Sequence, residues 1–325
     1  MISEKTLWGL GAGVLAGAMW GLVFLMPELA RGFSPAQLTA GRYLAYGALA
    51  AVLVAPSWRR LAPMLGWAEW RALAGLGFTG NILYYLCLAG AVQLGGVAMA
   101  SLVIGLLPVT ITVAGSRDRG AAPLRRLWPS LLLGVGGIAC IGWPALGGLR
   151  AGALSDALLG LLCALGALVS WTVYAVRNRR WLARLESVSA HEWSLLTGVT
   201  TGALALLLAA PAFMAAQAPH HAMGEWLGFA AAVSTMALLC SVAGNALWNR
   251  ASRLLPLTLV GQLVLFETLF ALLYGFLWEG RWPAGHEVLA MLMLGAGLLA
   301  SALAHRAGGA GRLANAAPAG AADPG

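Results

Sequence analysis

Ten apolar stretches of about twenty residues follow one another almost without a break, which leaves the chain few ways to fold. They lie at roughly 7–26, 36–55, 72–91, 96–115, 127–146, 157–176, 191–211, 226–247, 256–277 and 286–304. A helix of that length crosses the ~30 Å of hydrocarbon in a bilayer and satisfies its own backbone polar groups on the way. The expectation is an all-α integral membrane protein with ten transmembrane helices. Mean hydropathy is +0.80 and 10% of residues are charged, against about 25% in soluble domains. The connectors are too short to house a soluble domain.

Positive charge orients the ladder. Of twenty Lys and Arg residues, sixteen fall in alternate connectors, counting both termini. They are Lys5; Arg59, Arg60 and Arg71; Arg117, Arg119, Arg125 and Arg126; Arg177, Arg179, Arg180 and Arg184; Arg250 and Arg253; Arg306 and Arg312. The other connectors hold Arg31, Arg150 and Arg281, and Arg42 lies inside a span. Cytoplasmic loops retain Lys and Arg, so both termini are expected inside, in a multi-pass protein of the inner (plasma) membrane. Topology accounts for the formal charge of +8. The cations sit in short loops without interleaved aromatics, so lipid headgroups are expected partners and nucleic acid is not. Residues 306–325, rich in Ala, Gly and Pro, read as a disordered cytoplasmic tail.

The chain echoes itself. Leu133–Cys140 resembles Leu294–Ser301 at an offset of 161, Trp20 answers Trp171 at 151, and Gly115 answers Gly275 at 160. This divides it into a five-helix unit over 1–150 and a second over 151–305. Five is odd, so the second copy is inverted in the membrane. Two inverted five-helix repeats are a common frame for carriers whose solute site lies near the midplane. Gly9, Gly13, Gly17 and Gly21 recur every fourth residue, giving the first helix a smooth face for a close neighbour, either as tight packing or as a sliding surface. Pro108, two-thirds along the fourth span, removes a backbone hydrogen bond and predicts a kink or hinge.

Two charged residues stand well inside spans. Glu267, near the centre of the ninth, costs ~3 kcal/mol on insertion scales, so it must face a wet cavity, pair, or be protonated. Substrate contact or proton coupling is the functional reading, and a structural hydrogen bond is the alternative. Arg42 lies about six residues into the second span, close enough to snorkel to the outer interface, so an anchored or packed arginine is its first reading. An outer gate or a carboxylate contact is its other reading. Asn81, Tyr84, Tyr85, Ser241, Asn245 and Gln262 add polar groups to the third, eighth and ninth spans. Singly such residues are interhelical glue; together with Glu267 they suggest a polar-lined cavity. Trp8, Trp58, Trp128, Trp226 and Trp282 sit near span ends as interfacial anchors, whereas Trp20 and Trp171 lie deeper and read as cavity walls. Cys87, Cys140, Cys163 and Cys240 stand singly inside spans, which favours small buried residues over disulfides or zinc ligands. His220 and His221 adjoin each other in an outer connector, more in keeping with a solvated loop than a metal site.

In order along the chain, these features resemble the EamA-type ten-span members of the drug/metabolite transporter superfamily, over about 7–304. The resemblance rests on Trp20-Gly21 ending the first helix, Thr39-Ala40-Gly41-Arg42-Tyr43 opening the second and Leu107-Pro108-Val109 in the fourth. Glu267 and Trp278-Glu279-Gly280 continue it in the ninth. Thr268 stands where second repeats often carry proline, and Ser116-Arg117-Asp118-Arg119 lacks the family's Gly-Glu pair. The resemblance implies a cavity among spans 1–4 and 6–9, and export of amino acids or related metabolites. Trp20, Tyr84, Tyr85, Trp171, Asn245, Gln262 and Glu267 are the candidate substrate contacts, with Arg42 and Pro108 as gate or anchor. An amine-bearing solute suits aromatic walls with one carboxylate. No phosphate-binding loop appears, so direct ATP drive is not expected, and no residue pattern calls for a resident cofactor. A non-transport scaffold or receptor is the alternative reading. An intramembrane enzyme is a weaker one, because every histidine lies at a span end or outside and no Asp is buried in a span.

Overall fold

The computed structural model describes residues 4–114, 128–147, 151–182, 184–185, 187–214, 221–254, 257–297 and 299–300. Ser116–Arg119, His220 and the tail at 306–325 lie outside the described residues, as does the side chain of Gln262. The described residues form helices joined by turns, with no strand among them. In chain order these are α1 (Glu4–Leu29), α2 (Pro35–Val54), α3 (Trp67–Gly77), α4 (Tyr84–Ile104) and α5 (Leu107–Ala114). Then come α6 (Trp128–Gly147), α7 (Ala151–Leu182), α8 (Ala190–Met214), α9 (Met223–Met236), α10 (Gly244–Leu254), α11 (Leu257–Glu279) and α12 (285–297). Among the described residues, six helical runs are apolar and long enough to cross a membrane: Leu7–Leu29, Pro35–Met64, Trp67–Ile104, Leu154–Leu182, Ala190–Met214 and Met223–Trp248.

Local chemistry sets the helix boundaries. Ser34 and Gln37 form a reciprocal capping box at the start of α2, with Pro35 in the first turn. Ser189 and Glu192 repeat the box at α8, 155 residues later. Glu69 accepts from the Gly66 N–H at the start of α3, and Glu225 from the Ala222 N–H at α9, 156 residues later. Gly96, at φ 82°, breaks the longest run between the expected third and fourth spans, in backbone geometry that favours glycine. The fourth span is interrupted again at Gly105–Leu106. Pro108 therefore falls in the first turn of α5, where its missing N–H costs no helical bond. Thr268 lies inside an unbroken α11, so the ninth stretch carries no break there.

The two halves interlock. α1 lies against α10 and α11 of the second half, α7 lies against α4 and α5 of the first, and α2 faces α8. Missing side chains permit these approaches. A Cβ on Gly13 would stand 2.3 Å from Leu263 Cδ1, one on Gly17 2.7 Å from Phe266 Cβ, and one on Gly21 2.9 Å from the Ala271 nitrogen. The glycine row of the first helix thus seats α11. At the α2–α8 crossing, a Cβ on Gly47 would lie 2.5 Å from the Gly202 Cα. The core fills the space among these helices with Phe24, Leu38, Leu73, Leu88, Trp193 and Leu196. Leu162, Val169, Leu206, Leu207, Leu277 and Leu292 point outward, as suits a surface solvated by lipid.

His221 corrects one expectation. Its side chain is 4% exposed, stacked on Phe33 at 4.1 Å between ring centroids and edge-on to Trp226 at 5.5 Å. Aromatic faces from the α1–α2 turn and from α9 cover it, so this residue is not in a solvated loop.

Gly47→Ala or Gly202→Ala should destabilise the protein by about 1–3 kcal/mol, because a methyl there overpacks backbone against backbone. Gly75→Ala, inside α3 with nothing within 4 Å of its Cβ, should instead be neutral or stabilise by up to about 1 kcal/mol. Thermal unfolding in detergent, followed by size-exclusion fluorescence, checks the contrast.

Candidate functional site

Two π-helical segments frame the middle of the molecule. Phe78–Leu83 joins α3 to α4, and Ala237–Ala243 joins α9 to α10. A π turn holds an extra residue and disturbs the regular backbone pairing, so carbonyls there can take side-chain donors. A helix of the opposite half supplies the donor in each case. Trp20 Nε1 donates to the Cys240 carbonyl at 2.9 Å, and the Cys240 thiol donates back to the Met19 carbonyl at 3.0 Å. Ser170, beside Trp171, donates to the Thr79 carbonyl at 2.6 Å. Aromatic rings press in where glycine leaves room: Tyr174 against Gly80 within the first segment and Trp20 against Gly244 just after the second.

Between the segments lies a cluster of tyrosines around one cation. The Arg42 guanidinium sits 4.4 Å from the Tyr85 ring centroid and 5.1 Å from that of Tyr43. Tyr43 and Tyr85 meet edge to face at 6.0 Å, and the Tyr85 hydroxyl donates to Met236 Sδ at 3.5 Å. Trp171 packs beside Tyr84 at 6.5 Å and Tyr174 at 5.6 Å. Glu267 acts electrostatically on Arg42, Tyr84 and Cys240, and its backbone nitrogen faces Gly17 of α1.

The fold therefore gathers Arg42, Tyr84, Tyr85, Trp171 and Glu267. Trp20 joins the Cys240 backbone rather than the tyrosines, and its ring packs against Trp248 at 5.2 Å. Asn245 turns to its own helix, donating to the Ser241 carbonyl at 2.7 Å. Asn81 ties the first π segment to α8 by donating to Thr201 Oγ1 at 2.9 Å. Arg42 does not snorkel to an interface. It is 7% exposed, with the Tyr85 and Tyr43 faces covering the guanidinium. Tyr46 and Tyr174 were not among the expected site residues, yet they border the cluster. Tyr46 Oη donates to the Ser194 carbonyl at 3.1 Å. A signal existed: all six tyrosines fall inside apolar stretches, whereas the tryptophans crowd the ends.

The sequence pattern of the EamA-like transporter family matches residues 7–143 and again 158–303. The chain belongs to the EamA-like transporter family. It is 34% identical to Inner membrane protein YtfF of Escherichia coli (strain K12), across 83% of this chain and 87% of that one. It is 28% identical to Uncharacterized transporter YvbV of Bacillus subtilis (strain 168), across 58% of each. A solved crystal structure superposes with a TM-score of 0.61 over 94% of this chain and 99% of its own, at 23% identity, a likeness of fold.

Removing either donor to a π carbonyl should cost about 1 kcal/mol, the net worth of a typical hydrogen bond. Trp20→Phe and Ser170→Ala should each lower the unfolding midpoint in detergent. Trp8→Phe, at an exposed position, should not. Equal midpoints for Trp20→Phe and Trp8→Phe would show that the tie contributes nothing.

Proposed function

We propose that this EamA-family protein is a carrier of the inner membrane that exports amino acids or related small metabolites by alternating access. The observation that carries this reading is the interlocking of the two halves: each begins with a helix seated on the π-bearing part of the other. Ten crossings, arranged as inverted repeats over 1–150 and 151–305, account for that exchange. They also account for caps recurring at 155 and 156 residues and for the two family matches. Inverted repeats offer two arrangements of similar energy, one open to each side.

Each end has its own ties to exchange during the cycle. At one end are the Phe33–His221 stack, the Arg31–Glu28 pair at 2.5 Å and Arg281 held by Glu279 and Glu287. At the other, Arg60 of the α2–α3 connector pairs with Glu192 of α8. The solute path passes Trp20, Tyr84, Tyr85, Trp171, Asn245, Gln262 and Glu267, with the break before Pro108 as a hinge. Glu267 takes an amine of the solute or carries a proton.

Both termini are cytoplasmic in this reading. Reporters active on one side of the membrane, fused at the C-terminus and within 212–224, should report inside and outside respectively. The reverse result would sink the topology.

Glu267→Gln keeps shape and hydrogen bonding but loses the ionisable group. Flux of labelled amino acids per folded transporter in reconstituted vesicles should fall at least threefold or lose its pH dependence. Unchanged flux at every pH would return Glu267 to a structural role, and a scaffold would move no solute in wild type.

A further inference from the structure

Arg42 is a buried cation with two donor nitrogens left unpaired. Its Nε and Nη1 atoms are inaccessible to solvent and find no acceptor among the described residues. The Tyr85 and Tyr43 rings lie 4.4 Å and 5.1 Å from the guanidinium carbon and cover it. Ring faces offset part of the cost of removing a cation from water but cannot accept from in-plane N–H groups. Glu267 acts on Arg42 through space, but among the described residues no carboxylate stands within ion-pairing distance of it.

We propose that Arg42 is the receptor for a carboxylate of the transported solute. This inference rests on the carrier reading above and narrows it to solutes bearing an acid group, with any amine directed to Glu267. Three features support it. A guanidinium held by aromatic faces presents planar donor edges, and a carboxylate matches such an edge better than it matches a lysine ammonium. Leaving Nε and Nη1 unpaired in a buried site is costly, and an arriving anion supplies the missing acceptors and the missing charge. Glu267 carries the opposite charge in the same central region, so each end of a zwitterion would have a partner of opposite sign.

The test uses the full-length protein in vesicles of phosphatidylethanolamine and phosphatidylglycerol. They are loaded with the common amino acids and the amines formed by their decarboxylation. Mass spectrometry then follows each solute as it leaves. Solutes that keep the carboxylate should leave at least tenfold faster than their amines. Arg42→Gln should reduce acid flux at least tenfold, and Arg42→Lys should restore part of it. In parallel, tryptophan fluorescence of the protein in detergent is titrated with 3-phenylpropionate and with phenethylamine. Saturable binding of the acid should require Arg42. If Arg42→Gln does not elute as a folded protein, Tyr85→Leu, which withdraws a ring from the guanidinium, should weaken acid binding at least threefold. Unchanged binding in that variant would overturn the proposal.

The two readings fail separately. Arg42-dependent acid binding without flux of any solute would remove the carrier reading and leave the carboxylate site. Amines moving as fast as acids, or undiminished acid flux in folded Arg42→Gln, would remove the site and leave the carrier. Neither binding nor flux would remove both.

Discussion

Two bare backbones meeting at Gly47 and Gly202 set the geometry of the whole bundle. Helices surrounded by lipid tails gain little from hiding apolar surface, because the tails are as apolar as leucine. Their association depends on dispersion and hydrogen bonding, and both fall off steeply with distance. Glycine at the crossing brings α2 and α8 within reach of short polar groups. Tyr46 on α2 then bonds the Ser194 carbonyl on α8 at 3.1 Å, and Thr200 on α8 bonds the Leu73 carbonyl of α3 at 3.2 Å. The same logic operates where Gly17 and Gly21 of α1 meet α11. That contact sets Glu267 opposite Gly17 and Trp20 one turn from it.

The interlocked halves make the centre a joint product. Arg42 comes from α2, Tyr85 from α4, Trp171 from α7 and Glu267 from α11. Neither half of the chain contains the cluster alone. Each π segment is likewise stitched by a residue from the opposite half, through Trp20 at one and Ser170 at the other. A shift of α1 or α7 therefore acts on the π-helical backbone through a single side-chain bond at each segment.

The helices were legible because length and apolarity are local properties of a stretch, and the seat for α11 was legible because glycine every fourth residue is a local pattern. The site was only partly so. Tyr84, Tyr85, Trp171 and Glu267 declared themselves as polar or aromatic groups at depth, where such groups need a reason. The direction of Arg42 did not. Distance from its helix end favoured an outward reach, but the outcome depended on Tyr85, 43 residues further along the chain. His221 misled for the same reason, since Phe33, from another turn, covers it. The π segments left no mark in residue type, because a shift of backbone pairing by one residue needs no particular side chain.

Those two segments make the bundle sensitive to rotation. At 3.6 residues per turn, each residue added to or lost from a helix turns everything beyond it by about 100°. Tyr84 and Tyr85 lie immediately after the first segment, and Gly244 and Asn245 immediately after the second. Tightening Phe78–Leu83 to regular α-helix would swing Tyr85 away from the guanidinium while α3 stayed fixed. The facing of the tyrosine cluster is thus held by the count of residues in a single turn, in the manner of a ratchet tooth.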